Sequence, residues 1–429
     1  MRGFCLFAIQ DINDYYNLNR NDSAVFLLKI SSAVLNGVLL SLMNINDKTV
    51  SQHSSGCENS KPARILSVDA LRGFDMIWIL GAEGIFAALF VVTGWSWLHT
   101  LSLQMQHSTW HGITAYDLIF PLFIFLAGVS LGISAKPIIQ YPPDKRIAIL
   151  ISSIRRLCLL ILLGIVYNHG WGTGIPVQVD EIRFASVLGR IAIAWFVAAM
   201  LCWYVSEKGQ WLIAGIILVG YWLLLAGVEI SGFGAGDYSA SGALNAWFDM
   251  KFLPGGSYQN LAIDPEGVLS NIASIVNALA GVFVGRMMIR HGSNSLMLMQ
   301  RIVIFAVICL AVGFTWHLTF PINKTLWTSS FVLVTVGYSS LLLVIFYYLF
   351  DVLKLTKCAT FFAVIGCNSI IIYLATSIIN WQYISKSLFG GVIMHFDNGW
   401  STLLELVCIV FLQWLCLYWL YRRKIFIKV

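Results

Sequence analysis

An all-α bundle of ten or eleven transmembrane helices is the fold class the sequence predicts, on three observations. The chain has 429 residues, 58% hydrophobic and 11% charged, whereas soluble domains carry about 25% charged residues. Most of its surface therefore does not face water. Its apolar residues form continuous runs near the ~20 residues that cross a bilayer as a helix, not the ~10-residue alternating segments of a barrel. Aromatic residues are abundant, with 16 Trp, 16 Tyr and 27 Phe, as expected where rings mark membrane interfaces.

Residues 1–60 read as an N-terminal extension, distinct from a membrane domain over 61–429. Asp11 to Asp22 is polar and Asn-rich, and 47–61 is polar again. Between them Ala24 to Met43 is apolar, broken only by Lys29, Ser31, Ser32 and Asn36. This run is expected to be an extra span. An amphipathic helix, or translated sequence upstream of the true start, are the alternatives. A cleaved signal peptide fits less well, because the run starts late and lacks a compact cationic flank.

Ten further apolar runs follow, at 74–93, 115–135, 157–170, 188–205, 211–229, 268–288, 302–320, 327–350, 359–380 and 402–421, the third being the shortest. Basic residues cluster after every second span. The loop 136–156 carries Lys136, Lys145, Arg146, Arg155 and Arg156; 286–301 carries Arg286, Arg290 and Arg301. Lys354 and Lys357 mark another, and Arg422, Arg423, Lys424 and Lys428 close the chain. The intervening loops at 94–114, 230–267, 321–326 and 381–401 hold only Lys251, Lys324 and Lys386. By the positive-inside rule the C-terminus and the Arg64–Arg72 segment are cytoplasmic. His107 then lies on the outer side, periplasmic if the cell membrane is a bacterial inner membrane. The net charge of +6 is thus a topology signal and implies no nucleic acid. None of the nine cysteines forms a CxxC pair or a metal-like spacing with histidine, so no metal and no disulfide framework are expected.

The chemistry concentrates in Met105 to Gly128, MQHSTWHGITAYDLIFPLFIFLAG. Histidine is the side chain best suited to move a proton, or accept an acyl group, near neutral pH. His107 and His111 sit at the mouth of a span, and Asp117 is placed to orient either imidazole after folding. His111 also reads as a plain interfacial residue. Glu83 falls mid-span, where an ionised carboxylate costs ~2.5–3.5 kcal/mol or more, and is a site candidate by default. Asp69, Arg72 and Asp75 cluster at the start of the first regular span, where Asp69 and Arg72 can pair or simply anchor the helix end. Arg183 and Arg190 enter another span, as phosphate ligands or as interface anchors. Asp264 and Glu266 open a span whose helix dipole they complement. Asn323 and Lys324 occupy a tight outer turn, and Asn368 is buried with Ser369 as interhelical glue or cavity lining. The outer loop 230–267, with Gly232, Gly234, Gly236, Trp247, Asp249, Pro254, Gly255, Gly256 and Tyr258, suits a sugar-binding lid or an ordinary loop. No Walker loop, dinucleotide fingerprint, zinc motif or serine elbow stands out.

The set SVDALRGFDM, HSTWHGITAYDLIFPLFIFLAG, RFASVLGRIAIAW, DPEGVLSNIASI, PINKTLWTSSFVLVTVG and GCNSIIIYL resembles, in order across about 64–425, the transmembrane acyltransferase family. That family includes lysosomal heparan-α-glucosaminide N-acetyltransferase and the bacterial NagX-like proteins. The resemblance implies acetyl-CoA as co-substrate and an amino-sugar amine as acceptor, with donor and acceptor able to come from opposite sides of the membrane. It makes His107 the catalytic residue; the reading of the residues themselves adds Asp117 and Glu83 as its expected partners. By residue type and position, Arg72, Arg183, Arg190, Asn323 and Lys324 are expected toward acetyl-CoA. In the same way Asp69, Asp75, Trp110, Asp264, Glu266 and Asn368 are expected toward the acceptor. His111 stands where the family often has Asn. The family's upstream catalytic Asn has no counterpart; Glu83 in LGAEGIF is the nearest polar residue, and the insertion GWSWLHT lengthens the spacing to His107.

The expected reaction is acetyl transfer to glucosamine or a related sugar, with His107 as general base or transient acetyl carrier. An O-acyltransferase of a cell-envelope glycan, and an amino-sugar transporter without chemistry, are the alternatives. A homodimer is the candidate assembly.

Overall fold

The computed structural model describes residues 65–169 and 179–426. The run at 24–43, Arg64 and the whole 1–60 extension lie outside the described residues. All described residues fall in one compact unit, Pro62–Val429.

Among them, nine helices are long and apolar enough to cross a bilayer: Leu66–Thr93, Tyr116–Ser134, Pro143–His169, Val187–Tyr204, Glu207–Gly227, Ser270–His291, Ser295–His317, Ser329–Val352 and Gly399–Arg422. A tenth crossing is the pair Thr356–Cys367 and Ser369–Ile378, bent by 60°. The chain is a multi-pass, all-helical membrane bundle, and each of the ten regular apolar runs overlaps one of these crossings. The only sheet among the described residues is the antiparallel pair β1 (Glu229–Ile230) and β2 (Phe233–Gly234).

Two crossings are broken, each at a residue suited to it. The first comprises α1 (Leu66–Ile77), a wide π-helical turn at Trp78–Ala82, and α2 (Glu83–Thr93). Gly81 sits in that turn at φ +109°, a conformation open to glycine and strained for other residues. A short helix, α3 (Ser96–Gln104), then leads toward α4 (Ile119–Ser134).

The centre of the bundle is α4, α6 (Val187–Tyr204), α9 (Ser270–His291) and α11 (Ser329–Tyr347), whose apolar surface is mostly buried. Glycines let α4 and α9 touch backbone to backbone. A Cβ on Gly128 would lie 2.0 Å from the Ala278 carbonyl oxygen, and one on Gly281 would lie 2.0 Å from that of Phe125. Gly132 and Gly285 repeat the contact one turn on, the small-xxx-small geometry of membrane helix pairs. The same device joins α1 to α12 (Thr356–Cys367), where a Cβ on Gly366 would meet the Asp69 carbonyl at 2.0 Å. By contrast α5 (Pro143–His169), α7 (Glu207–Gly227), α10 (Ser295–His317) and α15 (Asn398–Arg422) form a periphery with much exposed apolar surface.

Two expected loops are shorter than the hydropathy profile suggests. The segment 136–156 is helical from Pro143, so Lys145, Arg146, Arg155 and Arg156 lie on α5. Proline is well tolerated in a first helical turn, and basic side chains lower hydropathy without breaking a helix. Arg156 places its guanidinium 4.0 Å from the Trp195 ring centroid. Likewise Arg286, Arg290 and Arg301 are helical. Arg286 donates to Gln210 at 2.8 Å and Arg290 pairs with Glu207 at 2.5 Å, tying α9 to α7.

The loop 230–267 is folded. It contains part of the hairpin, α8 (Leu244–Phe252) and a bridge between Arg183 and Gly255. The remaining helices are α13 (Ser369–Ile378) and α14 (Trp381–Ile393).

Candidate active site

The site is built on an irregular stretch between α3 and α4. Asp117 lies in the helical turn Tyr116–Leu118 that leads into α4 and is fully buried. Its Oδ2 accepts from the backbone N–H of Ser108 (3.1 Å), the backbone N–H of Thr114 (3.2 Å) and the Thr114 hydroxyl (3.0 Å). Its Oδ1 lies 2.8 Å from His107 Nδ1 and 3.2 Å from Lys324 Nζ. A buried carboxylate is tolerable only with such compensation. The His107 side chain stays 56% exposed, its ring centroid 4.8 Å from that of Tyr116. Asp117 thus grips one face of the imidazole and leaves the remainder accessible.

The turn at 318–328 closes the other side. Lys324 Nζ lies 2.9 Å from His107 Nδ1. A single Nδ1 cannot donate to Asp117 and accept from Lys324 at once. The carboxylate favours the Nδ1–H tautomer, which pairs Lys324 with Oδ1 and leaves the ring's lone pair on Nε2, 3.4 Å from Lys324 Nζ. Burial holds the Lys324 ammonium below its ordinary pKa, and the Asp117 charge offsets this only in part. Asn323 braces the turn: its Nδ2 donates to the Trp110 carbonyl (2.9 Å), and its Oδ1 accepts from Leu326 N–H (2.8 Å). Gly112 N–H donates to the Ile322 carbonyl (2.8 Å), and the Trp110 indole donates to the Tyr238 carbonyl (2.8 Å) in the outer loop. His111 stands 3.5 Å from Asn323 Nδ2. Its pKa is lowered, by burial and then by His317.

A second cluster stands where the outer loop meets α9. Arg183 donates to both Asp264 oxygens, at 2.8 and 2.7 Å, and pairs with Glu266. Burial would lower the arginine's pKa, but the two carboxylates more than offset it and raise it. Burial acts upward on Asp264, yet Arg183 and the backbone N–H groups hold its pKa down. Asp249 accepts from the backbone N–H of Asp264 (3.1 Å) and Val268 (2.8 Å). Burial, reinforced by the Asp264 charge, pushes Asp249 up to about 6. Arg183 is therefore held between carboxylates rather than presented bare to an anion. Arg190 is fully buried, its guanidinium 4.5 Å from the Trp327 ring and bonded to Ser270. Its Nε and Nη1 have no hydrogen-bond partner among the described residues.

Other expected site residues lie apart. Asp69, Arg72 and Asp75 sit on α1, toward the opposite end of the first crossing from His107. Arg72 bonds Ser130 at 3.2 Å and lies 3.6 Å from Asp69. Asn368 donates to the Ile425 carbonyl at 3.0 Å, tying the α12–α13 break to the chain's C-terminal end. Glu83 restarts the first crossing after the Gly81 turn, and its Oε2 is buried without a partner among the described residues. Two features escape sequence reading. Tyr116 packs on the His107 ring, and Lys324, expected to face acetyl-CoA, contacts the His107–Asp117 pair across 217 positions from His107. No local signal marks either contact.

No family model matches the chain. Over 379 residues it is 28% identical to heparan-alpha-glucosaminide N-acetyltransferase of Mus musculus, an alignment covering 76% of this chain and 56% of that protein. It is 27% identical over 427 residues to the Homo sapiens protein of the same name, covering 86% of this chain and 60% of that one. The chain spans just over half the length of these curated relatives. Over most of its own length it is similar to heparan-alpha-glucosaminide N-acetyltransferase, the likeness that its motifs carry.

Proposed function

We propose that this chain is a membrane-embedded acetyltransferase that moves an acetyl group from acetyl-CoA to the amine of glucosamine or a related amino sugar. The observation that supports this most is the pairing of an exposed imidazole with a fully buried carboxylate at 2.8 Å. With Nδ1–H donated to Asp117, Nε2 is the free base. It takes a proton from the amine as the nitrogen attacks the thioester carbonyl; the C–N bond forms, the C–S bond breaks, and CoA leaves as the thiolate. Asp117 steadies the imidazolium that results, and Lys324 balances the buried carboxylate between turnovers. Such general-base assistance is worth about 10²–10⁴-fold. Direct attack is preferred over an acetyl-imidazole intermediate because a thioester is already activated. In this reading the C-terminus is cytoplasmic and His107 faces the outer side of the cell membrane.

The test is CoA release by purified protein against a panel of amino sugars and glycan hydroxyls. Transfer to an amine, lost in His107→Ala while the protein stays folded, is the expected result. Amino-sugar uptake retained by His107→Ala, with no acetyl transfer by either protein, would instead identify a transporter.

A further inference from the structure

α10 ends at His317, and the chain then turns through Pro321 to reach Lys324. Proline has no N–H, so the first backbone donor after it is that of Ile322. Ile322 is 2% exposed, and a buried N–H must find an acceptor. It finds a side chain, donating to His317 Nδ1 at 2.8 Å. The Ile322 carbonyl in turn accepts from Gly112 N–H, also at 2.8 Å. The two polar groups of this one residue therefore join the end of α10 to the loop that carries His107. Asn323 continues the tie through the Trp110 carbonyl at 2.9 Å. Lys324 comes next, 2.9 Å from His107 Nδ1 and 3.2 Å from Asp117 Oδ1.

The bond to Ile322 fixes the protonation of the His317 ring. A backbone N–H can only donate, so Nδ1 is an acceptor and the ring proton sits on Nε2. A doubly protonated imidazole has no lone pair left and would meet the Ile322 N–H donor to donor. Histidine is the side chain whose charge ordinarily changes between about pH 5 and 8. The His317 ring is half-buried rather than sealed, so water can supply the proton. From the neighbouring loop the titratable group that faces it is His111, whose own pKa is lowered by burial and then by His317. The charged group of its own turn is Lys324. α7 packs Trp222 against the adjoining Trp316, and its charges, Glu207 and Lys208, lie at its other end. His111 and Lys324 are both basic, and neither would steady a second proton on His317.

We propose that His317 is a pH-sensitive latch: neutral, it holds the turn that places Lys324 on the His107–Asp117 pair, and protonated, it releases that turn. It is a positioning residue, acting through Lys324. The catalytic use of the latch rests on the acetyl-transfer reading, whereas its existence does not, and the two are measured separately. The turn is followed by amide hydrogen exchange of peptides spanning 318–328 in detergent-purified protein, corrected for the intrinsic effect of pH. Wild type, His317→Asn and His317→Leu are compared between about pH 5 and 8. Asparagine can present a carboxamide oxygen near the Nδ1 position and does not titrate, whereas leucine accepts nothing. Protection should be equal in wild type and His317→Asn at the alkaline end. It should fall about tenfold toward the acid end in wild type alone, and be low throughout in His317→Leu. CoA release gives the second readout. The ratio of kcat in wild type to that in His317→Asn cancels the titration of His107 and should fall by up to about tenfold over the same range. Protection that follows one pH course in wild type and His317→Asn would overturn the proposal, and that comparison decides even if His317→Leu fails to fold. Wild-type protection in a folded His317→Leu, or a flat kcat ratio in active enzyme, would overturn it too. The expected exchange pattern in a protein inactive toward every acceptor would sink the acetyl-transfer reading and leave the latch standing.

Discussion

Replacing Asp117 by Asn tests the chemistry most directly. The carboxylate has no solvent exposure and takes contacts from five groups: His107 Nδ1, Lys324 Nζ, two backbone N–H groups and the Thr114 hydroxyl. Asn is the same size, so the pocket should persist, but one oxygen becomes an NH₂. Ser108, Thr114 N–H and Thr114 Oγ together require the remaining oxygen at the Oδ2 position. The NH₂ then faces His107 and can only donate. That forces Nδ1 to accept and moves the proton to Nε2, leaving no base. The expected loss in kcat is about 10²–10⁴-fold, the usual worth of a positioned base, with KM for both substrates changed less than about threefold. The assay is CoA release by detergent-purified protein, with a thermal-unfolding control. Because Asp117 acts through His107, the double variant His107→Ala/Asp117→Asn should be no slower than His107→Ala alone. Additive losses, or an Asp117→Asn enzyme within about threefold of wild type, would refute the reasoning.

Lys324→Met should lower kcat with little change in KM for acetyl-CoA, because the ammonium serves the His107–Asp117 pair; a large rise in that KM alone would return Lys324 to a co-substrate role. Gly128→Val should abolish folded yield, since its Cβ would sit 2.0 Å from a backbone oxygen of α9, whereas Gly215→Val, with open space around it on α7, should behave as a surface change within about 0.5–1 kcal/mol. Asp249 has a folded-state pKa raised to about 6. Between the ordinary carboxylate range and that value the folded state binds more protons than the unfolded state, so this group's stabilisation is present at low pH and lost as pH rises through about 6. The thermal midpoint of Asp249→Asn should therefore vary less than that of wild type between about pH 4 and 6.5; parallel curves would count against the burial argument.

Much of the architecture was legible because hydropathy is a local property. A run of apolar residues must find lipid or other apolar groups wherever it folds, so the ten crossings could be read one at a time. Charges posed the first difficulty: Lys145, Arg146, Arg155 and Arg156 depress hydropathy, yet they belong to one helix from Pro143 to His169. The breaks at Gly81 and Asn368 were equally invisible to a window average, since a crossing need not be a continuous helix. Within the candidate site, the sequence offers Asp117 to either His107 or His111, and the structure puts its Oδ1 2.8 Å from His107 Nδ1. The chemical grouping of the rest depended on packing. Sequence composition by itself determined that the chain fills a membrane with helices and sets an imidazole at the edge of one. Only the tertiary structure decided that Lys324 meets that imidazole, that Arg183 is held by Asp264 and Glu266, and that Asp69 and Arg72 stand apart from it. The reason is geometric: a helix periodicity says which way a side chain points from its own axis, but which groups converge depends on how separate helices pack, and here glycines set that spacing through backbone contact.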